Sequence, residues 1–313
     1  MNEYLIGAGG WAYFQLPGQN SLIAYSKAFN FVEVNATFYK IPPLSEIERW
    51  RRLVPHDFHF SVRAHRSITH GSGFKPTQAT YESFERMQQI CRVLNAEVLH
   101  LEFPAFIKTD DAFVGGLNKF LKNIEVGRLH LAAEFRGVNG KGLPPTLVKL
   151  MQEYGLIHCV DLLKNEAPAY DSSILYSRLF GKGYHNLYQP TDQELKQVDD
   201  ISERHETVYQ VFHGARMYTD AARLKQYRKT NRFPMVTKST GLHSLEAVLG
   251  EDAVFPAKKE ELVRDQGWKL FDLSEENRAR VEDLLQRLPD REYSNINDVI
   301  QTLYTVAGEH PIA

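Results

Sequence analysis

Several short apolar, β-branched segments of this chain end in residues that can carry chemistry. They deliver Glu33 with Asn35, Arg63 with His65 and His70, Glu102, Glu134 with Arg136, Asp161, Arg178, and His213 with Arg216. Carboxylates and imidazoles can move protons, and guanidiniums bind and neutralise anions through paired N–H groups. Two aromatic residues, Trp11 and Tyr39, follow the first and second of these segments. Together they point to a reaction on an anionic substrate.

Spacing supports a shared location. In Phe31–Tyr39, Val32 and Val34 alternate with Glu33 and Asn35, the period-two pattern of a strand. A face carrying a carboxylate and then an amide would cost kilocalories if it were dry and unpaired, so it must line a wet or ligand-bearing cavity. His100 and Glu102, Glu134 and Arg136, Tyr176 and Arg178, and Val211 and His213 are also two apart, and each pair shares a face. One strand ending in a charge is ordinary, and a single Arg can simply be the partner of a nearby carboxylate; Glu134 and Arg136 are an obvious pair. Six or seven strands ending this way call for a pocket.

The elements that must position these groups alternate. Strands are predicted near Tyr4–Gly7, Phe31–Asn35, Phe58–Arg63, Val98–Phe103, Leu129–Arg136, Leu156–Asp161, Ile174–Leu179 and Thr207–His213. Helical spacing occupies Ser45–Leu53, Tyr81–Leu94, Ala112–Leu121, Thr146–Tyr154, Asp192–His205 and Thr219–Lys229. Ser45 with Glu48 reads as a capping box, and Thr80 and Thr191 as further caps. The expectation is an α/β fold, a (β/α)8 TIM-like barrel over residues 1–236, with active groups at the C-terminal ends of its strands. The interval between the sixth and seventh strands is too short for a full helix. A doubly wound open sheet is the alternative, but Gly7-Ala8-Gly9-Gly10 reads as a tight turn, not a phosphate loop.

Composition narrows the class. The 313 residues are 43% apolar and 24% charged, as in an ordinary globular protein. No apolar run approaches the roughly 18 residues of a membrane span, and residues 1–30 lack a basic-then-apolar leader. Cys91 and Cys159 stand far apart without metal-ligand spacing, which suits two buried small hydrophobes in a reducing compartment. The expectation is therefore a cytoplasmic protein with no membrane partner. Residues 237–313 carry 9 Lys/Arg and 15 Asp/Glu, against 28 and 24 in the rest, so a mildly basic body precedes an acidic tail.

After Pro234 the pattern changes. Lys238–Gly241 reads as a polar linker, and 242–308 as a small, all-helical module. Val281, Leu284, Leu285 and Leu288 mark one helix, and Ile296, Val299, Ile300, Leu303 and Val306 another, capped by Asn295 or Asn297. Its acidity suits docking of a protein partner, and a helical cap that stabilises the barrel is the alternative.

Gly9-Gly10-Trp11, Val32–Tyr39 and Trp50…Phe58–Ala64…Ile68-Thr69-His70, with Ala133–Arg136, the Asp161 strand and Ser177–Gly181, resemble domain of unknown function 72, the YecE-like proteins. The resemblance covers about residues 4–230 and implies a TIM-barrel-like fold with a polar pocket and no settled activity. The chain departs from the family pattern at the pocket rim: Arg63 for the usual Lys, Glu102 for Gln, Phe180 for His, and Phe212-His213-Gly214 for an Asn-rich end. Phe255–Val263 with Leu288–Tyr293 resembles domain of unknown function 2795, whose role is also unsettled.

Three chemistries fit the residues. The first is hydrolysis of a phosphate ester, in a small anionic substrate or a nucleic acid. Arg63, Arg136, Arg178 and Arg216 would clamp the anion, aided by Lys75, Lys108 and Lys164. Glu134 or Asp161 would serve as base, His70 or His213 as acid, and Trp11, Glu33, Asn35 and Tyr39 would complete the substrate contacts. The second uses Mg2+, Mn2+ or Zn2+ on Glu33, Glu102, Glu134, Asp161 and His213, as in a sugar isomerase or abasic-site-type nuclease. No local ligand motif supports it, so no residue is assigned to a metal. The third makes Glu102 and Glu134 a glycosidase pair beside Trp11, Tyr39 and Trp50, although Trp50 follows Ile47 at core spacing. A non-catalytic binder of small anions stands outside the enzyme class. The surplus of four positive charges on the body is too small for strong non-specific DNA binding.

Overall fold

The computed structural model describes residues 2–71, 74, 76–138 and 142–309. The period-two segments form eight strands: β1 (Glu3–Ala8), β2 (Phe31–Val34), β3 (His59–Arg63), β4 (Val98–Phe103), β5 (His130–Phe135), β6 (Ile157–Cys159), β7 (Ile174–Leu179) and β8 (Thr207–Phe212). All are parallel, in the order β6-β5-β4-β3-β2-β1-β8-β7, and a Val160–Ser177 bridge joins β6 to β7. A sheet whose first strand lies between β2 and β8 and whose ends meet is a barrel, so the open-sheet alternative falls. The weakest join lies where the sequence leaves no room for a helix: only a 3-10 turn, Leu162–Lys164, and an extended loop link β6 to β7.

Inside the barrel the side chains are layered. Leu5, Phe31, Val98, Ala132, Ile157, Tyr176 and Tyr209 form an apolar floor with Cys159 and Val211. Higher in the barrel, Glu33, Glu102, Glu134 and Arg178 replace them on β2, β4, β5 and β7, and Arg63 joins from β3. Two residues along a strand return a side chain to the same face, so the sequence sets the depth of each layer.

Helices follow the strands: α1 (Ser21–Ala28), α2 (Leu44–Leu53), α3 (Arg66–Thr69), α4 (Gln78–Leu94), α5 (Asp111–Lys122), α6 (Pro145–Glu153), α7 (Asp192–Ser202) and α8 (Met217–Thr230). Two expected caps move. Pro43 occupies the cap position of α2 in extended conformation, so the helix opens at Leu44 and Ser45 lies within its first turn. Thr77, not Thr80, caps α4: its hydroxyl accepts from the Thr80 N–H at 3.3 Å, and the Thr80 hydroxyl accepts from Thr77 N–H at 3.3 Å. Thr191 caps as expected, accepting from Glu194 N–H at 3.2 Å while Glu194 accepts from Thr191 N–H at 2.9 Å.

The chain parts into two compact units, residues 1–179 with 200–213, and 180–199 with 214–313. The second unit contains α8 with α9 (Gly241–Leu249), α10 (Lys259–Gln266), α11 (Val281–Leu285) and α12 (Ile296–Glu309), and the last four pack around Leu245, Leu249, Phe271, Val281, Leu285 and Val299. Asn295 caps α12, accepting from Asp298 N–H at 3.0 Å. The 242–308 stretch is not wholly helical. Antiparallel pairs join β9 (Ala257–Lys258) to β12 (Glu292–Tyr293) and β10 (Leu270–Asp272) to β11 (Arg278–Arg280). Strands of two or three residues are too short to show alternation in sequence.

Gly7 leaves no room for a side chain between β1 and the start of β2. A Cβ there would lie 2.2 Å from the Phe31 carbonyl oxygen and 2.8 Å from the Tyr25 hydroxyl. That hydroxyl donates to Phe31 O at 2.8 Å and accepts from Ala8 N–H at 2.9 Å. Gly115, within α5, has open space instead. Gly7→Ala is expected to lower the unfolding free energy by about 1–3 kcal/mol, and Gly115→Ala to raise it by about 0.5–1 kcal/mol, both read from urea denaturation.

Candidate functional site

The upper layer of the barrel is organised on Arg178, carried inward by β7 and 1% exposed. Its Nε donates to Glu33 Oε1 at 3.3 Å, and Nη2 lies 3.2 Å from the same oxygen. Its Nη1 donates to Glu102 Oε2 at 2.9 Å and to Glu134 Oε2 at 2.7 Å. Carboxylates from β2, β4 and β5 thus converge on one guanidinium. Arg63, on β3, donates to Glu102 Oε2 at 2.6 Å and to Asn35 Oδ1 at 2.7 Å, with its guanidinium 3.6 Å from the Phe38 ring centroid. Arg136 spans the top: Nε donates to Glu134 Oε1 at 2.9 Å and Nη2 lies 3.0 Å from Glu102 Oε2. Three carboxylates therefore meet three guanidiniums, and the cluster is neutral when all six are ionised.

Imidazoles and hydroxyls surround it. His213 Nε2 lies 3.3 Å from Glu33 Oε1, and His70 Nε2 3.8 Å from Glu102 Oε1. His100 sits between two carboxylates, Nδ1 3.8 Å from Glu33 Oε2 and Nε2 3.0 Å from Glu134 Oε2. The Tyr176 hydroxyl donates to Glu33 Oε2 at 2.8 Å and lies 2.8 Å from Ser61 Oγ. Gly9 makes room for His213: a Cβ there would fall 2.0 Å from the imidazole.

Protonation follows from this packing. Burial alone would raise the Glu33 and Glu134 carboxyls, but Arg178 and the neighbouring histidines hold both well below the usual carboxylate range. Burial disfavours the Arg178 charge, and the three carboxylates more than offset it. Burial and the Arg178 charge push His213 down to about 4 and lower His100; burial leads the lowering of His70. Near neutral pH Glu33 and Glu134 are charged, and His70, His100 and His213 are not.

The structure brings together Glu33, Asn35, Arg63, His70, Glu102, Glu134, Arg136, Arg178 and His213. The other candidates lie elsewhere or turn to local partners. The Asp161 carboxylate caps the 3-10 turn, accepting from Leu163 N–H at 3.1 Å, with Lys164 Nζ 3.6 Å away. Trp11 packs edge-on against Trp50, ring centroids 5.1 Å apart. Tyr39 is 62% exposed, its ring edge-on to Phe38, and Lys108 is exposed. Arg216 belongs to the second unit, where it pairs with Glu251. Lys75 lies outside the described residues. Sequence reasoning did not select His100, Tyr176 or Cys159, although each stands two residues before a selected one. His100, Glu134 and Cys159 offer ligand atoms that all lie within 4.8 Å of one another. Three strands supply them, so no local spacing reveals the set.

Two outcomes follow for stability. Arg178→Met leaves three buried carboxylates facing one another and is expected to cost about 3–5 kcal/mol of unfolding free energy. His213 has its ordinary value of 6.5 when unfolded and about 4 when folded, so the unfolded chain binds the proton first as pH falls. Stability present above pH 6.5 is then lost towards pH 4, by up to about 3 kcal/mol from this group. The lowered Glu33 and Glu134 extend the loss below 4.5. Urea midpoints at pH 7.5, 6 and 5 should fall in that order, with a shallower fall in His213→Gln.

Residues 5–240 match the family model described as "Protein of unknown function DUF72". The UPF0759 protein YunF of Bacillus subtilis (strain 168) is 28% identical over 171 residues, a match covering 50% of this chain and 59% of YunF, less than two thirds of that protein. A DUF72 family protein from Thermotoga maritima MSB8 superposes with a TM-score of 0.57 at 19% identity, covering 72% of this chain and 99% of that one. One from Enterococcus faecalis V583 gives 0.55 at 16%, covering 74% and 98%. Both solved structures share the barrel fold. With its family model matched across all eight strands, this chain belongs to the DUF72 family.

Proposed function

We propose that the barrel is a hydrolase acting on an anionic substrate, a phosphate ester in the first instance, at the open end of the ion cluster. The observation that carries this reading is the divided environment of Glu134. Its Oε2 faces the buried Arg178, while Oε1 accepts from Arg136, whose side chain is 41% exposed. Arg136 is the most exposed of the three guanidiniums, and a substrate anion would draw it away from Glu134. Losing that cation raises the basicity of the carboxylate, so binding of the anion and readiness of the base become one event. Glu134 then takes a proton from water, Arg136 and Arg63 stabilise charge developing on the substrate, and His70, uncharged near neutral pH, draws a proton from solvent as the anion binds beside it and passes it to the leaving oxygen. His213, enclosed by Gly9 and Glu33, is too deep for that role.

The glycosidase reading is less well supported, because it needs one carboxyl held protonated, and Glu102 and Glu134 each face two or more guanidiniums. For the 242–308 stretch, docking of a protein partner is the reading its acidity supports. Among the described residues no helix is long and apolar enough to cross a membrane.

The test is turnover of a panel of phosphomonoesters and of plain and abasic-site oligonucleotides, with Mg2+ or Mn2+ and then with EDTA. The reading predicts cleavage that survives EDTA, falls about 10²–10⁴-fold in Glu134→Gln, and shows a raised KM in Arg136→Gln. Cleavage abolished by EDTA would replace it with a metal-dependent mechanism. Silence across the panel would overturn the hydrolase and leave a binder of small anions.

A further inference from the structure

We propose that the barrel interior, beneath the reaction face, takes up one soft divalent cation, zinc or cobalt, on His100, Glu134 and Cys159. The three residues come from adjacent strands β4, β5 and β6. Glu134 and Cys159 are direct partners across the sheet, and His100 lies opposite Ala132, two residues before Glu134. Their nitrogen, oxygen and sulfur all lie within 4.8 Å of one another. A tetrahedral zinc site with ordinary bond lengths has ligands roughly 3.4–3.8 Å apart, so closing it takes about 1 Å of side-chain movement.

The second observation concerns His100 itself. It is 0% exposed, and neither ring nitrogen makes a hydrogen bond, although Nε2 lies 3.0 Å from Glu134. A polar group buried without a hydrogen bond costs about 1–3 kcal/mol and calls for an explanation. Its ring is stacked on Tyr176, centroids 5.8 Å apart and planes at 12°, which keeps it facing Glu134. A cation bound there gives the imidazole a partner.

Arg178 is the competitor, since its Nη1 donates to Glu134 Oε2. It keeps Glu33 and Glu102 when that oxygen turns to a metal. Cys159 gives up its thiol proton to solvent on binding. A divalent cation with one thiolate thus adds a single positive charge to a neutral cluster, the sign that suits an anionic ligand above it. The sulfur and imidazole ligands favour zinc or cobalt over magnesium, which prefers oxygen. This inference does not depend on the hydrolase reading, and its test uses no substrate.

The experiment is a Co2+ titration of the EDTA-treated 313-residue chain, read by thiolate-to-cobalt charge-transfer absorption in the near ultraviolet, with zinc displacement as the second arm. One cobalt per chain should bind with that band, and Mg2+ should not displace it. Cys159→Ala should abolish the band and weaken binding by at least about tenfold, whereas Cys91→Ala, which alters the other buried thiol, should leave both unchanged. X-ray absorption of zinc-loaded wild type needs no variant and should show one sulfur at about 2.3 Å. Absence of the charge-transfer band, a band that persists in Cys159→Ala, or zinc with only nitrogen and oxygen neighbours would overturn the proposal.

Discussion

A guanidinium cannot sit in the throat of a protein barrel unless carboxylates meet it there. Arg178 is fully enclosed, and three strands answer it with Glu33, Glu102 and Glu134. The cost of removing such charges from water is several kilocalories per ion, and it is offset only when each finds close, well-directed partners. That requirement fixes much of what surrounds it. The acidic side chains must point inward at one depth, so β2, β4 and β5 must keep register. The apolar floor beneath must exclude water, and the imidazoles between the carboxylates must stay uncharged. Arg63 and Arg136 then complete the balance from the rim.

A neutral cluster also limits the chemistry it can do. Each arginine of the layer already has a carboxylate, so the layer holds no surplus of positive charge for a highly charged substrate. What it offers is exchange: an arriving anion can take Arg136 in place of Glu134, and the carboxylate it leaves becomes a stronger base. The outermost pair is therefore where binding and reaction can be coupled, while the pairs around Arg178 hold the geometry.

Much of the frame was legible in the sequence because a strand carries its own ruler. Glu33 with Asn35, and His100 with Glu102, are two residues apart, and that spacing alone assigns them to one face and one end. The short interval after Asp161 likewise foretold the missing helix between β6 and β7. Pairings were another matter. Glu33 reaches Arg178 across 145 residues, and nothing local in either segment encodes that contact. The same holds for Cys159, which read as a small hydrophobe until the fold set it beside His100 and Glu134. Caps went astray where proline intervened: Pro43 starts α2 ahead of Ser45. The ladders of the second unit escaped because two or three residues are too few to show a period.

The central claim is that Arg178 holds Glu33 and Glu134 ionised inside the barrel. The most direct test is a carbon-13 NMR titration of the glutamate side-chain carboxyls, assigned with Glu33→Gln and Glu134→Gln. The account predicts that two carboxyl resonances stay at their ionised positions through pH 4.5, where ordinary glutamates are half protonated, and move only in stronger acid or on unfolding. If either titrates at or above 4.5 in the folded protein, burial rather than Arg178 governs the site, and the ion cluster is not its organising interaction.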